Sequence, residues 1–184
     1  MLTRFLSDRN GVSAVEFALL LPLMLLFYFG TVETGAALAV HRKVVSTAST
    51  IADLVAQDTS IDDTESTAIF TAAEAIMAPY DPMETIQVVV SSVRLTGTEP
   101  RVVWSDANAA ATARGVGSLV ENMPAGLLSG TNTVIMAEVD FPHVGPSAEV
   151  IGGAISMEQV FYLRPRQVIS VCRVRGGTPP VNIC

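Results

Sequence analysis

Apolar side chains dominate the chain from Val12 to Val32, where only Ser13, Glu16 and Thr31 interrupt them with polar groups. About 20 apolar residues, rising about 1.5 Å each, cross a hydrocarbon core of roughly 30 Å. The run therefore predicts a membrane-spanning helix. Pro22 removes one backbone donor from it and predicts a slight bend, which membrane helices tolerate better than soluble ones. No second run approaches this length, so a single crossing is expected.

The pattern then changes without a Gly/Pro break. Val40, Val44, Ala48, Ile51 and Val55 recur at three- and four-residue steps, while His41, Arg42, Lys43, Ser49 and Asp53 lie off that stripe. One helix from Val12 to about Ala56 is predicted, its first half in lipid and its second under a globular head. Asp62 and Glu65 fit the N-cap and N3 positions of a second helix running to about Ala78, with Ile69, Ala73, Ile76 and Met77 inward. Pro79 ends it. Asp58 to Glu65 lacks the oxygen-ligand alternation and the glycine of a calcium loop.

Strand texture follows. Thr85–Leu95 and Arg101–Trp104 flank the turn 96–100 as a hairpin, and Asn132–Phe141 is a third strand stopped by Pro142. Between them, residues 106–120 read as an alanine-rich loop. Glu149–Ser156 is a candidate short helix broken by Gly152-Gly153; Glu158–Leu163 and Arg166–Val174 supply the last strands. The fold class expected is α+β: a long amino-terminal helix packed on a small antiparallel sheet, with one membrane span.

Composition narrows the function. About 150 residues remain outside the leader and span, enough for one domain with a core of its own. A formal net charge of −7 argues against a nucleic-acid partner, because no basic patch could neutralise phosphates. Cys172 and Cys184 bracket a Gly/Pro-rich turn. Paired outside the cytoplasm they would close a terminal loop and add roughly 2–3 kcal/mol; otherwise they are two unrelated thiols. Neither belongs to a Cys-x-x-Cys or lies near a histidine, so no metal is expected. His41 and His143 are far apart in sequence, and no nucleophile elbow, phosphate loop or zinc helix is present. No enzymatic activity and no cofactor are expected. Trp104 fits a core position better than a surface anchor.

The chemistry-bearing feature is the start of the run. Gly11 precedes it, and Glu16 lies five residues past that glycine within the apolar stretch. An ionisable group inside a span is disfavoured unless paired, and so points to function. Three fates of this end compete. The helix could remain an uncleaved anchor. A secretory signal could be cut after Ala37-Leu38-Ala39, releasing a protein that begins at Val40. Alternatively a cytoplasmic protease could cut between Gly11 and Val12, where glycine allows close approach. Glu16 could then neutralise the new amine of Val12, on its own chain or a neighbour's. Arg4 and Arg9 on one side and Arg42 and Lys43 on the other leave the positive-inside rule undecided. The Met1 amine and the cysteines favour a cytoplasmic amino terminus.

Gly11-Val-Ser-Ala-Val-Glu16-Phe-Ala-Leu-Leu-Leu-Pro22-Leu resembles the amino-terminal signature of TadE-like pseudopilins, minor pilin-like proteins of tight-adherence (Flp-type) pilus systems. Phe161-Tyr-Leu-Arg164-Pro165-Arg166 is similar to a strand-forming segment near the end of TadE- and TadG-like domains. Val12 departs from the wider type IV pilins, which usually carry phenylalanine there. The resemblance implies processing after Gly11 by a prepilin peptidase, with Glu16 needed for processing or assembly. It implies a pilin-like fold, and partners among other pilin-like subunits, the pilus assembly machinery and membrane lipid. The domains expected are a cytoplasmic leader over 1–11, a transmembrane segment over 12–35 and an extracytoplasmic domain over 36–184. The location expected is the bacterial cytoplasmic (inner) membrane, with incorporation into a pilus for adhesion or secretion. The alternative is an uncleaved, single-span periplasmic binding domain.

Overall fold

The computed structural model describes residues 9–80, 85–128, 130, 132–145, 155–176 and 181–184. Its dominant element is helix α1, Arg9–Gln57, 49 residues without interruption at Pro22. At about 1.5 Å per residue it is roughly 73 Å long. It starts three residues before Val12, because Asn10-Gly11 weakens a first turn without preventing it. Every residue from Gly11 to Val32 is exposed, whereas the stripe of Val40, Val44, Ala48, Ile51 and Val55 is buried, as its spacing predicts.

Two short elements follow: strand β1, Ser60–Ile61, and helix α2, Asp63–Met77. The capping box is present. Asp62 Oδ1 accepts from the N–H groups of Thr64 and Glu65, both at 2.8 Å, and Glu65 Oε2 accepts from the Asp62 N–H at 2.9 Å. The buried face is Ser66, Ile69, Ala73 and Met77. Ile76, expected inward, is half-buried instead, since it falls a third of a turn off that stripe. Its carbonyl accepts from Lys43 Nζ at 3.0 Å, which joins the end of α2 to α1.

The main sheet has strand order β3-β2-β4-β5, all antiparallel: β2 Gln87–Thr96, β3 Glu99–Ala107, β4 Thr133–His143 and β5 Ile155–Leu163. Its inner face meets α1 through Val88, Val90, Trp104, Ile135, Ala137 and Val139. Trp104 is a core residue, as expected, with Nε1 donating to the Val171 carbonyl at 2.7 Å. On the outer face Val93, Val102, Val120 and Met136 form a second small core under the 108–128 loop. That loop also shields the β3 edge: Val102 N–H donates to Ser118 O and Val120 N–H to Pro100 O.

Several boundaries differ from the sequence reading. Strand β4 runs through Pro142 to His143, because β2 ends its pairing at Gln87 opposite Asp140. Beyond that point β2 no longer pairs with β4, and a residue without an N–H is tolerated. The predicted strand Arg166–Val174 is strand only from Cys172, as β6, Cys172–Arg175. Arg166 to Ser170 instead caps the end of α1. The Arg166 N–H donates to Ala56 O at 2.9 Å and Gln167 Nε2 to Gln57 O at 2.6 Å. These are carbonyls that a helix end cannot satisfy itself. β6 also joins a separate sheet, parallel to β1 and antiparallel to β7, Val181–Ile183. The candidate helix 149–156 lies mostly outside the described residues, and its last two residues open β5.

A buried cation anchors this second sheet. Arg173, whose side chain is 6% exposed, pairs through Nε with Asp106 of β3 and through Nη2 with Asp63 of α2 at 2.6 Å. Arg175 reaches Asp106 Oδ1 at 3.0 Å, and Ser66 Oγ donates to Asp106 Oδ2 at 2.9 Å. The Gly176 N–H donates to Asp63 Oδ2, and with Arg173 this holds the Asp63 carboxyl below its ordinary value of 3.8.

Two outcomes follow for the full chain in detergent, read by equilibrium urea denaturation. Asp62→Ala lowers stability by about 1 kcal/mol through loss of the N-cap. Asp63, depressed in the folded state, contributes stability that is complete above pH 3.8 and is lost as pH falls through its folded value. Asp63→Asn therefore flattens the acid limb of the stability profile relative to the unsubstituted chain.

Candidate functional site on the amino-terminal helix

The exposed half of α1 spans Gly11 to Val32, about 33 Å at about 1.5 Å per residue, close to a hydrocarbon thickness. Leu19 is 74% exposed and Leu26 67% exposed. A soluble surface rarely carries so continuous an apolar area. Among the described residues, α1 is the one helix long and apolar enough to cross a membrane. Its polar side chains are handled locally at the head end. Thr31 Oγ1 donates to Phe27 O and Thr34 Oγ1 to Gly30 O, each at 2.8 Å, so neither hydroxyl needs an outside partner.

Glu16 is the only charged residue from Gly11 to Val32, and it lies on the exposed surface of the helix. Val12 and Glu16 are four residues apart, which places them on one face. Side chains on a helix lean toward its amino terminus, so the Glu16 carboxylate is directed over the turn that begins at Val12. An amine at Val12 would lie within that turn. The helix dipole favours a negative group there as well.

Gly11 is in the first turns of α1, with open space where a side chain would begin. A protease acting at Gly11–Val12 needs an extended backbone, so this turn must unwind. Glycine lowers that cost by roughly 1 kcal/mol relative to alanine.

The other predicted site residues lie far away. Cys172 and Cys184 come together at disulfide distance, with Cα atoms 4.3 Å apart, beside the β6–β7 pair. His41 is exposed on α1, and His143 ends β4 opposite Ile155. Of the segment 161–166, Phe161 to Leu163 close β5 and Arg164 to Arg166 leave the sheet. Arg164 Nη2 donates to Leu127 O at 3.0 Å, and Arg166 pairs with Asp53 of α1. The Arg173 network gave no signal in the sequence, because Asp63, Asp106 and Arg173 are distant along the chain and each occurs in an unremarkable local context.

Residues 11–53 match the family model described as TadE-like protein. The likeness to that family lies in the amino-terminal helix. The match begins at Gly11, includes Val12 and Glu16, and extends through the half of α1 that packs under the head. No curated protein and no solved structure matches the chain. The family match and the exposed apolar half of α1 together fit a membrane-anchored protein.

Two arginines placed mid-helix test the anchoring. Leu21→Arg with Leu25→Arg costs about 6 kcal/mol of insertion free energy by the usual per-residue scale. The doubly substituted chain is expected to leave the carbonate-resistant membrane fraction, where the unsubstituted chain remains.

Proposed function

We propose that this chain is a membrane-anchored minor pilin or pseudopilin that takes part in assembling a Tad (Flp-type) pilus. The observation that carries the reading is the TadE-like match over an exposed, membrane-length helix with one acid, Glu16, four residues from Val12. In this reading residues 1–11 are a cytoplasmic leader, 12–35 span the inner membrane, and 36–184 form the extracytoplasmic head. A prepilin peptidase removes the leader after Gly11. The chain works by assembly and not by turnover.

Glu16 has a defined role in this scheme. Cleavage creates a protonated amine at Val12 in a low-dielectric setting, where an unpaired charge is expensive. Glu16 offsets that charge, within its own helix or from a neighbouring subunit. The neighbour's case sets the axial register between subunits, because only one offset brings an acid beside an amine. The apolar surface supplies lateral contact, and the head contacts other pilin-like subunits and the assembly machinery. An extracytoplasmic head also places Cys172 and Cys184 where an oxidised pair persists, consistent with their 4.3 Å Cα separation.

Intact mass and amino-terminal sequencing of the protein from its own membranes test the reading. Mature chains are expected to begin at Val12, and Gly11→Asp should leave them beginning at Met1. Glu16→Gln should preserve membrane anchoring and abolish co-purification with pilus subunits. Chains that begin at Met1 and tolerate Glu16→Gln would identify an uncleaved anchored binding domain instead.

A further inference from the structure

The outer face of the main sheet carries charges that its own chain leaves uncompensated. Along β4, Ala137 and Val139 point into the core, so Glu138 and Asp140 point the other way. Asp140 is directly opposite Glu158 of β5, and like charges in such a pair repel. Arg114, reaching in from the 108–128 loop, is taken up by Glu138 through two bonds of 2.6 Å. Among the described residues, Asp140 accepts from the Ser156 hydroxyl alone, and Glu158 has no partner. A groove of about 340 Å³ opens here, lined by Gln87, Val89, Arg114, Glu138, Asp140 and Glu158.

A matching cation is exposed on α1. Arg42 lies on the side of the helix turned away from the sheet, with Ser46 one turn on. No acid is three or four residues from it, and among the described residues it has no ion pair. Groove and cation also stand at one height. The Gly145 backbone lies against the Glu33 carboxylate at one end of the head, and Arg166 caps Ala56 just past Leu163 at the other. From Glu33 to Ala56 the helix rises roughly 35 Å, and from Gly145 back to Ile135, the partner of Leu163, the strand covers roughly 33 Å. Helix and strand therefore run side by side. On that scale Arg42 stands roughly 14 Å beyond Glu33 and Asp140 roughly 17 Å beyond it. The other candidate cations do not fit. Arg94 and Arg101 face each other beside Thr133, roughly 23 Å further out, and Lys43 is turned to the Ile76 carbonyl.

We propose that this groove receives α1 of a second copy of this chain in the same membrane, with the neighbour's Arg42 set between Asp140 and Glu158. The occupant is a second copy because the groove and Arg42 are on opposite faces of one head, at one distance from the apolar run. Such a contact is heterologous, so each added copy leaves a groove at one end and an Arg42 at the other. Anchoring in one bilayer raises the effective concentration of the copies, so a contact built on a few charges is enough to hold them. This contact is one instance of the lateral assembly proposed above. It rests on the reading of α1 as a span, which sets all copies at one depth.

The full chain is reconstituted in phosphatidylcholine vesicles as a mixture of two tagged forms, Ser46→Cys and Val160→Cys, and treated with a short bismaleimide. The unsubstituted chain has no free cysteine and is the blank. Both positions flank the charges without replacing them. A product joining 46 to 160 is expected, in excess of the 46–46 and 160–160 products. Arg42→Glu in the first form, or Asp140→Lys with Glu158→Lys in the second, lowers it about fivefold. Both changes together restore it to within about twofold, which a folding defect could not do. Equal yields across the four combinations, or loss without restoration, overturn the contact. So does a 46–46 product as abundant as 46–160, which would put like faces together. Carbonate extraction of the same vesicles reads the span separately. Chains that stay in the membrane without forming the 46–160 product leave the span standing and overturn the contact. Chains that are extracted refute the span, and the common depth and the contact with it.

Discussion

The packing of Val40, Val44, Ala48, Ile51 and Val55 against the inner face of the main sheet is the interaction on which the rest of the molecule depends. These residues belong to the same uninterrupted helix as the apolar run, so the head has no flexible linker to the membrane-length segment. Helix position and head position are therefore one variable. Any displacement of the exposed half, by lipid or by a neighbouring helix, is carried directly into the sheet. A hinge at the boundary would have decoupled them, and neither a proline nor a break in the helix occurs between Val32 and Val40.

The far end of α1 shows how firmly the head holds it. Ala56 and Gln57 have their carbonyls taken by Arg166 and Gln167, and Asp53 pairs with Arg166. The segment that does this begins directly after β5, so the sheet's edge strand ends by capping the helix it packs on. Arg173 does the corresponding work for the second sheet, tying β6 to α2 and to β3 in one side chain. The cysteine pair then sits beside an already anchored strand. Its contribution is to confine the last residues, and the anchoring itself belongs to the ion network.

Legibility in the sequence followed the range of each interaction. The two helices, the capping box at Asp62 and the β2–β3 hairpin are encoded by local spacing, and local spacing is visible in one sequence. The stripe from Val40 to Val55 was readable for the same reason. Ile76 was misplaced because Ser66 shares the buried face, and a small polar residue gives no apolar signal. The second sheet was not readable: β1 has two residues, and its partner β6 is over a hundred residues away. The capping of α1 by residues 166–167 was hidden by a β-rich composition that in fact crosses the helix end. At the candidate site, Gly11 and Glu16 were legible as a motif, whereas the approach of Gly145 to Glu33 exists only in the fold.

Glu16 and Glu33 mark the two ends of the exposed run, and their surroundings differ in kind. Glu33 lies against the head at Gly145, where the polar zone of a bilayer would receive it. Glu16 is on the wholly exposed stretch of the helix, seventeen residues earlier. An acid at the edge of a span is easily solvated and needs no special partner. An acid one turn inside the other edge has to draw on something outside the chain as it stands: water at the membrane surface, a neighbour, or an amine made at Val12. Of these, an amine four residues away on the same helix face supplies a compensating charge without moving the helix, and its creation requires only a cut beside the glycine already present.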